Sequence, residues 1–180
     1  MRICIENTTA LIIDMQEKLV PAMSQKEELL HNCLILIQGL QELAVPTAVT
    51  QQYSKGLGET ISEVKALIPD FNPIEKTDFS CLDESVYTQW LTTQQKKDII
   101  LCGIEAHVCV LQTAIDMKQK GFNPVVVFDC ISSRTQENKS LVLERLRHEG
   151  IMVTSYESVL FELTRSAKAP NFRAISKLVK

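Results

Sequence analysis

An α/β fold with an open, mostly parallel sheet of six strands is the architecture that the sequence predicts. Short apolar runs alternate with longer segments whose apolar residues recur at helical spacing, which is typical of alternating strands and helices. The chain has 180 residues, 45% of them hydrophobic and only 6% aromatic. This length suits a single domain, residues 1–180, and an aliphatic core favours a buried parallel sheet with helices on both faces.

Six short apolar segments are the predicted strands. Each is bounded by polar or turn-forming residues, as strands usually are. The fourth, DIILC followed by Gly103, is the clearest, and the third is the weakest. The six strands are predicted at residues 9–13, 45–50, 71–75, 98–102, 124–128 and 151–154.

Helices are predicted between the strands from the spacing of their apolar residues. In the first, at about residues 25–43, Leu29, Cys33, Leu36 and Leu40 fall on one face. The segment 51–60 contains two glycines and is predicted to be a loop. Further helices are predicted at residues 83–91, 107–119 and 138–148, and two short helices follow near the C-terminus.

Polar residues follow several of the predicted strands directly. Asp14 comes after the first strand, Lys76 after the third, the turn GIEAHVC after the fourth and Asp129 after the fifth. In open parallel sheets, ligands bind outside the carboxyl ends of the strands. The pattern therefore predicts a functional site at this edge of the sheet.

Cys109 is the candidate nucleophile. It follows a buried strand and a glycine turn, and it lies in the opening turn of a predicted helix. Unpaired N–H groups at a helix N-terminus carry partial positive charge, so we expect a lowered thiol pKa and donors for a developing oxyanion. The alternative is a buried structural thiol, the usual state of a cysteine in such a protein.

Asp14 and Lys76 are the candidate partners of this thiol. A carboxylate beside a thiol accepts its proton and later returns it to a leaving group. An ammonium nearby favours the thiolate and holds the carboxylate in place. The alternatives are a capping role for Asp14 and a solvated surface charge for Lys76.

Composition and spacing argue against several other functions. The formal charge is −3 and no stripe of Lys and Arg is evident, which disfavours nucleic acid as the main partner. His31 and His148 are predicted on helix surfaces, while His107 either faces the site or begins a helix. No His or Asp cluster has metal-ligand spacing and no glycine-rich phosphate motif follows a strand, so we expect neither metal nor cofactor.

The cysteines and the apolar runs indicate the compartment. The six cysteines form no CxxC pair, and several lie in apolar runs, as reduced buried thiols do. No signal peptide is evident, and no apolar run reaches the roughly 18 residues of a membrane helix. We expect a cytoplasmic protein without membrane contact, with a mitochondrial location as the alternative.

Three motifs together resemble the isochorismatase-like cysteine hydrolases. They are LIIDMQ, EKTDFS and CGIEAHVCV, in that order and each at a strand end. The segments VTQQYSKGLGET, DCISSR and APNFRAISKLVK are similar to the isochorismatase-domain proteins of animals and protozoa. The resemblance implies a six-stranded parallel sheet in a three-layer α/β/α sandwich, and an Asp–Lys–Cys triad made of Asp14, Lys76 and Cys109.

The same resemblance implies the remaining parts of the site. A cis peptide at Ile104–Glu105 would turn the Glu105 N–H so that it forms an oxyanion hole with the N–H of Cys109. Pocket-lining positions correspond to Gln16, Tyr53, Phe79 and Ser80, each of which could instead be a packing or loop residue. No metal or cofactor is implied. A homo-oligomer is expected, because relatives assemble into dimers and larger forms.

Hydrolysis of a small amide or related acyl substrate, through a thioester, is the activity that the resemblance implies. Family members that cleave isochorismate often lack the cysteine, and nicotinamidases carry histidines after the second strand that this chain does not have. Two alternatives stay open. One is a non-catalytic interaction protein on the same scaffold, and the other is a protein like the mitochondrial-associated ribonucleases.

Overall fold

The computed structural model describes all 180 residues and contains one six-stranded sheet in which every neighbouring pair of strands is parallel. The strand order is β3-β2-β1-β4-β5-β6. The strands are β1 Thr8–Ile13, β2 Thr47–Gln52, β3 Ile74–Lys76, β4 Asp98–Ile104, β5 Asn123–Ser132 and β6 Met152–Thr154. The sheet is thus parallel throughout, whereas the apolar runs predicted a mostly parallel one.

Eight α-helices and one π-helical turn connect and cover the strands. The helices are α1 Lys26–Glu42, α2 Ser54–Leu57, α3 Ser62–Lys65, α4 Ser85–Gln94, α5 Leu111–Gln119, α6 Gln136–His148, α7 Tyr156–Thr164 and α8 Phe172–Leu178. The π-turn spans Ala106–Val110 and leads directly into α5. None of these helices is both long enough and apolar enough to cross a membrane.

The core lies on both faces of the sheet, because successive side chains of a strand point to opposite sides. On β1, Ala10 and Ile12 pack with α1, α7 and α8, whereas Leu11 and Ile13 pack with α4, α5 and α6. Strands β4 and β5 alternate in the same way. The result is the three-layer α/β/α sandwich that the sequence predicts.

Two strands run further than their apolar patterns indicated. Strand β4 continues through Gly103 to Ile104, and β5 continues through Asp129 to Ser132. The pairing of β4 with β5 shifts in register between Leu101 and Gly103, so extra residues of β5 bulge out of the ladder. Asp129 therefore lies inside β5 and not at its carboxyl end. In the predicted loop at residues 51–60 the structure has one short helix, α2, and a second short helix, α3, follows the loop.

The direction of chain crossover reverses at β1. This strand pairs with β2 on one side and with β4 on the other. The crevice at such a reversal, outside the carboxyl ends of the strands, is where open α/β sheets bind ligands. Asp14 follows β1 directly, so the fold places it at that crevice.

Candidate active site

Asp14 is the first residue after β1 and is fully buried. Its backbone has a φ of 51°, in the left-handed region that aspartate tolerates better than most residues. The Asp14 N–H donates to the Thr50 carbonyl at 3.3 Å, and the Thr50 hydroxyl donates to Asp14 Oδ1 at 2.8 Å. The neighbouring strand thereby holds the carboxylate in place.

Lys76 ends the short edge strand β3, and its side chain is completely buried. Its ammonium Nζ lies 2.7 Å from Asp14 Oδ2 and 3.5 Å from Cys109 Sγ. It also donates to the Gln52 side-chain oxygen and to the carbonyl of Asp78 at 3.2 Å. A buried ammonium needs such partners, and they direct it between the carboxylate and the thiol.

Cys109 lies on the π-turn, after β4 and before α5. The residue is only 6% exposed, so the thiol lies almost entirely within the protein. Asp14, Lys76 and Cys109 come from three separate parts of the sequence, and the structure brings their side chains together. Single π-helical turns often occur at functional sites.

The thiol is not activated in the way the sequence suggested. Burial and the negative charge of Asp14 raise the pKa of Cys109 to about 12, although Lys76 acts in the opposite direction. The expectation of a lowered pKa was wrong for two physical reasons. The sulfur is buried, which disfavours the charged thiolate, and the charge of Asp14 offsets that of Lys76.

The pKa values of Asp14 and Lys76 reflect the same buried ion pair. Burial raises the pKa of the Asp14 carboxyl above its ordinary value, although Lys76, Thr50 and Cys109 all stabilise the ionised form. Burial alone would lower the pKa of Lys76, but chiefly the negative charge of the Asp14 carboxylate raises its pKa overall. At neutral pH the site therefore holds a neutral thiol, an ammonium and a carboxylate that takes up a proton more readily than an exposed one.

The peptide bond between Ile104 and Glu105 is cis, as the resemblance implied. The N–H of Glu105 donates to no acceptor within the chain. The Glu105 carbonyl accepts from the N–H groups of Val108 and Val110, at 3.1 and 3.2 Å, and not from the N–H of Cys109 between them. An unused donor thus lies at the start of the turn that carries the thiol.

Side chains after β5 hold this turn in place. The Arg134 guanidinium lies 3.0 Å from the Glu105 carboxylate, and His107 Nδ1 lies 2.9 Å from the hydroxyl of buried Ser133. His107 therefore packs toward β5, while His31 and His148 are exposed on their helices. The segment DCISSR had drawn attention only through its resemblance to the family, because sequence does not show which loop it contacts.

Gln16 lies beneath the site and is fully buried. Its amide nitrogen donates to the carbonyls of Gln52, at 2.9 Å, and Gly58, at 2.7 Å, while its oxygen accepts from the Gln52 N–H at 2.8 Å. These bonds fasten the segment 52–58 to the end of β1. The Gln16 side chain therefore stabilises the neighbouring segment 52–58, and both of its polar atoms are already hydrogen-bonded.

The three other predicted lining residues differ in exposure. Tyr53 and Phe79 are 53% and 52% exposed, and both adjoin Lys76: the Tyr53 N–H donates to the Lys76 carbonyl, and the Phe79 carbonyl accepts from its ammonium. Ser80 is buried, and its hydroxyl accepts from the Leu82 N–H at 3.3 Å, which caps a short 3-10 turn. Tyr53 and Phe79 thus present exposed aromatic side chains, whereas Ser80 has a structural role as a cap.

Asp129 is the one polar strand-end residue that the structure keeps away from the site. Its carboxylate accepts from the Tyr156 N–H at 3.0 Å, where α7 begins. Conversely, Thr50 and Gln52 contact the ion pair but were not singled out from the sequence. Their position at the end of β2, beside β1, was the signal that could have found them.

No group of three or more His, Cys, Asp or Glu side chains is arranged to hold a metal ion. Cavities of about 280 to 480 Å³ lie elsewhere on the molecule, and none of those described is lined by Asp14, Lys76 or Cys109.

Comparison with known proteins finds one family and many full-length relatives. The family model for the isochorismatase domain matches residues 8–158. The secreted isochorismatase effector Isc1 of Phytophthora sojae is 38% identical over 99% of this chain and 87% of its own length. Isochorismatase domain-containing protein 2 of Danio rerio is also 38% identical, over 99% of this chain and 89% of its own.

Solved structures with the same architecture cover almost the entire chain. The MAR1 ribonuclease of Caenorhabditis elegans superposes with a TM-score of 0.92 at 33% identity, over 99% of this chain and 92% of that one. The YcaC gene product of Escherichia coli, described as an octameric hydrolase of unknown specificity, gives a TM-score of 0.93 at 22% identity over 98% and 88%. At that identity the second likeness establishes the fold alone.

Proposed function

The chain belongs to the isochorismatase family, and from that premise we propose that it is a cysteine hydrolase acting on a small amide or related acyl substrate. One observation carries the proposal. The Lys76 ammonium contacts both the Asp14 carboxylate, at 2.7 Å, and the Cys109 sulfur, at 3.5 Å, in a buried setting. A nucleophile, a base and a group that orients the base are the parts that covalent acyl transfer requires.

The first half of the proposed reaction forms a thioester. The substrate carbonyl oxygen accepts from the free N–H of Glu105 and from the N–H of Cys109. As Cys109 Sγ attacks the carbonyl carbon, its proton passes to Asp14, and the carbonyl oxygen becomes an oxyanion. Asp14 then gives that proton to the leaving nitrogen, the C–N bond breaks, and the amine departs.

The second half releases the acid. A water molecule attacks the thioester carbonyl while Asp14 takes one of its protons. The C–S bond breaks, the carboxylic acid leaves, and the proton on Asp14 returns to the sulfur. The raised pKa of Asp14 makes it a stronger base than an exposed carboxylate, whereas the raised pKa of Cys109 makes its thiol harder to deprotonate.

Nicotinamide is not the proposed substrate. The segment 51–60 after β2 contains no histidine, whereas the nicotinamidase pattern requires histidines there. The exposed rings of Tyr53 and Phe79 beside Lys76 offer apolar contact to an acyl group. This surface suits a small substrate without strong charge, since Lys76 and Arg134 are already paired with carboxylates.

Replacement of the sulfur tests the proposal. We expect Cys109→Ala to lower turnover of any amide or acyl ester that the wild type hydrolyses by at least about 1,000-fold, with an unchanged circular dichroism spectrum. Cys4→Ala, which removes a thiol near the N-terminus, is the matched control and should retain activity. A trapped acyl enzyme, detected by mass spectrometry on Cys109, would be direct support.

Two outcomes would count against this function. Full turnover by Cys109→Ala would exclude the thiol as nucleophile. Absence of turnover by the wild type across a broad panel of small amides and esters would favour a non-catalytic interaction protein on the same scaffold.

Ribonuclease activity is a second candidate, because the C. elegans neighbour that bears that name is 33% identical. The net charge of −3 and the absence of a metal-binding cluster give it no further support. RNA cleavage by the wild type that persists in Cys109→Ala would favour this candidate. Cleavage that is lost in Cys109→Ala would instead assign the RNA substrate to the same thiol.

We also infer that the protein forms a homo-oligomer. Tyr53, Phe79 and Val86, all more than half exposed, are large apolar side chains on neighbouring segments after β2 and β3. The octameric E. coli neighbour has the same fold, and exposed apolar side chains such as these would be covered where subunits meet. Light scattering coupled to size-exclusion chromatography measures the mass, and a value of 20.3 kDa, that of one chain, would contradict the inference.

A further inference from the structure

We propose that Thr50 is a positioning residue for Asp14, and that the buried thiol of Cys81 fixes the direction of the Thr50 hydroxyl. The inference rests on the proposed function, in which Asp14 is the base. It concerns two residues outside the Asp14–Lys76–Cys109 triad. Thr50 lies on β2 and Cys81 on the 3-10 turn after β3, so each reaches the site from a different element.

Thr50 contacts Asp14 twice. Its carbonyl accepts the Asp14 N–H at 3.3 Å, and its hydroxyl donates to Asp14 Oδ1 at 2.8 Å. The other carboxylate oxygen, Oδ2, faces Lys76 at 2.7 Å. Each carboxylate oxygen thus has one fixed partner, and rotation of the carboxylate would break both interactions. Thr50 is fully buried, so water does not compete for its hydroxyl.

Cys81 determines which way the Thr50 hydroxyl points. The Cys81 thiol donates to Thr50 Oγ1 across 3.9 Å, and its own N–H donates to the Thr113 hydroxyl on α5 at 3.0 Å. A threonine hydroxyl has a single proton. When its oxygen accepts from Cys81, that proton is left for Asp14. Burial raises the pKa of Cys81 to about 12, so the thiol keeps the proton it donates.

This arrangement directs the proton that Asp14 takes up. Because the Thr50 hydroxyl already donates to Oδ1, it favours Oδ2 as the oxygen that takes a proton from Cys109. Oδ2 is the oxygen beside the Lys76 ammonium, which is also in contact with the Cys109 sulfur. The transferred proton therefore stays on the side of the carboxylate from which it can return to the sulfur or reach a leaving group.

The test compares Thr50→Val, which keeps the shape and removes the hydroxyl, with Thr50→Ser, which keeps the hydroxyl. The first readout is the pKa of the Asp14 carboxyl, followed by ¹³C NMR titration. The second is the pH profile of kcat/KM with a substrate of the wild type. We expect Thr50→Val to raise the Asp14 pKa, and the acidic limb of the profile, by about 1 pH unit. Thr50→Ser should stay close to the wild type.

Two further variants complete the experiment. Thr9→Val is the matched control, because Thr9 is equally buried on the neighbouring strand and its hydroxyl has no partner, so neither readout should move. Cys81→Ala should raise the Asp14 pKa as Thr50→Val does, but by less. It replaces Thr50→Val as the test if that variant does not fold. An unshifted Asp14 pKa in Thr50→Val, or in Cys81→Ala where that variant stands in, would overturn the inference.

The two readouts separate this inference from the proposed function. A shifted Asp14 pKa in an enzyme that hydrolyses nothing would leave the role of Thr50 standing and remove the hydrolase. Hydrolysis by the wild type together with an unshifted Asp14 pKa in Thr50→Val would support the hydrolase and overturn the role of Thr50.

Discussion

Lys76 is a lysine whose side chain has no contact with solvent, and it determines the charge balance of the site. A buried ammonium is costly unless it is paired and hydrogen-bonded. Here its partners are one carboxylate, one side-chain amide and backbone carbonyls, and the Cys109 sulfur also lies 3.5 Å away. The interactions that stabilise the buried ammonium also hold it beside the Cys109 thiol.

Lys76→Met tests this balance through stability. The variant leaves the Asp14 carboxylate buried without its cation, and breaking a buried pair in this way costs about 3–5 kcal/mol near neutral pH. The Asp14 pKa is already raised, and loss of Lys76 raises it further. A carboxyl whose pKa is raised by folding adds stability at low pH that is lost as the pH rises through the folded-state pKa.

The destabilisation should therefore be largest near pH 7.5 and smaller near pH 5, where more of Asp14 is protonated. Urea unfolding of wild type and variant at the two pH values measures it. Lys26→Met, at a surface pair whose nitrogen and oxygen are 3.8 Å apart, is the control and should cost less than about 1 kcal/mol at either pH. A loss of stability in Lys76→Met that is the same at both pH values would contradict the coupling.

At the residue scale, the sequence predicts which residues stand at strand ends but not how they interact. Asp14 and Cys109 are recognisable because each follows a buried run. The high thiol pKa was not predictable, since it depends on how deeply the sulfur is buried and on how completely Asp14 neutralises Lys76. Gln16 shows the same limit: its position suggested a ligand contact, whereas its three hydrogen bonds all go to backbone atoms.

At the scale of elements, the close contact between β4 and β1 is what places the π-turn beside Asp14. Gly103 has a φ of 115° in this contact, and a Cβ there would lie 2.0 Å from the Ile13 carbonyl oxygen. No side chain fits such a position without moving the backbone of β1. Since Ile13 precedes Asp14, any such movement would also displace the carboxylate.

Gly103→Ala and Gly121→Ala form a matched pair. Comparing them separates the effect of a steric clash with β1 from the cost of a positive φ. Gly121 also has a positive φ, 80°, but a Cβ there would have no atom within 4 Å. We expect Gly121→Ala to cost about 1 kcal/mol for the left-handed conformation alone. Gly103→Ala should cost clearly more and should also abolish hydrolysis. Equal urea midpoints for the two variants would show that contact with β1 is unimportant.

The elements themselves were predictable to different degrees. The strong apolar periods gave α1 and β1 almost to the residue, because a buried face imposes its period on the sequence. The π-turn was predicted as ordinary helix, since a single turn leaves no periodic pattern. The end of β5 was missed because its last residues, from Asp129 to Ser132, belong to a bulged ladder with polar positions.

At the scale of the whole molecule, one sheet supports two hydrophobic layers. The larger layer packs around α1, α7 and α8, and the smaller around α4, α5 and α6. Every central strand contributes alternate residues to both layers. The two layers therefore share the same strands. On β4, for example, Ile100 belongs to the larger layer and its neighbour Ile99 to the smaller. A sheet shared in this way should make the chain unfold as one unit.

The pair Ile99→Val and Ile100→Val tests that expectation. Each variant removes one methylene from a fully buried position, on opposite faces of the same strand, at a cost of about 0.5–1.5 kcal/mol. Trp90, the one tryptophan of the chain, lies beside the smaller layer and reports on that face by fluorescence, while circular dichroism reports on all helices.

If the chain is one domain, each variant lowers the urea midpoint of both signals together, even Ile100→Val, whose site faces away from Trp90. If instead the layers unfold separately, Ile100→Val moves only part of the circular dichroism transition and leaves the Trp90 transition in place. The site at the strand ends draws on both layers, because the π-turn packs with the smaller one while Met15, next to Asp14, packs in the larger. Joint unfolding would therefore also mean that the contacts between Asp14, Lys76 and Cys109 break in the same step as the sheet.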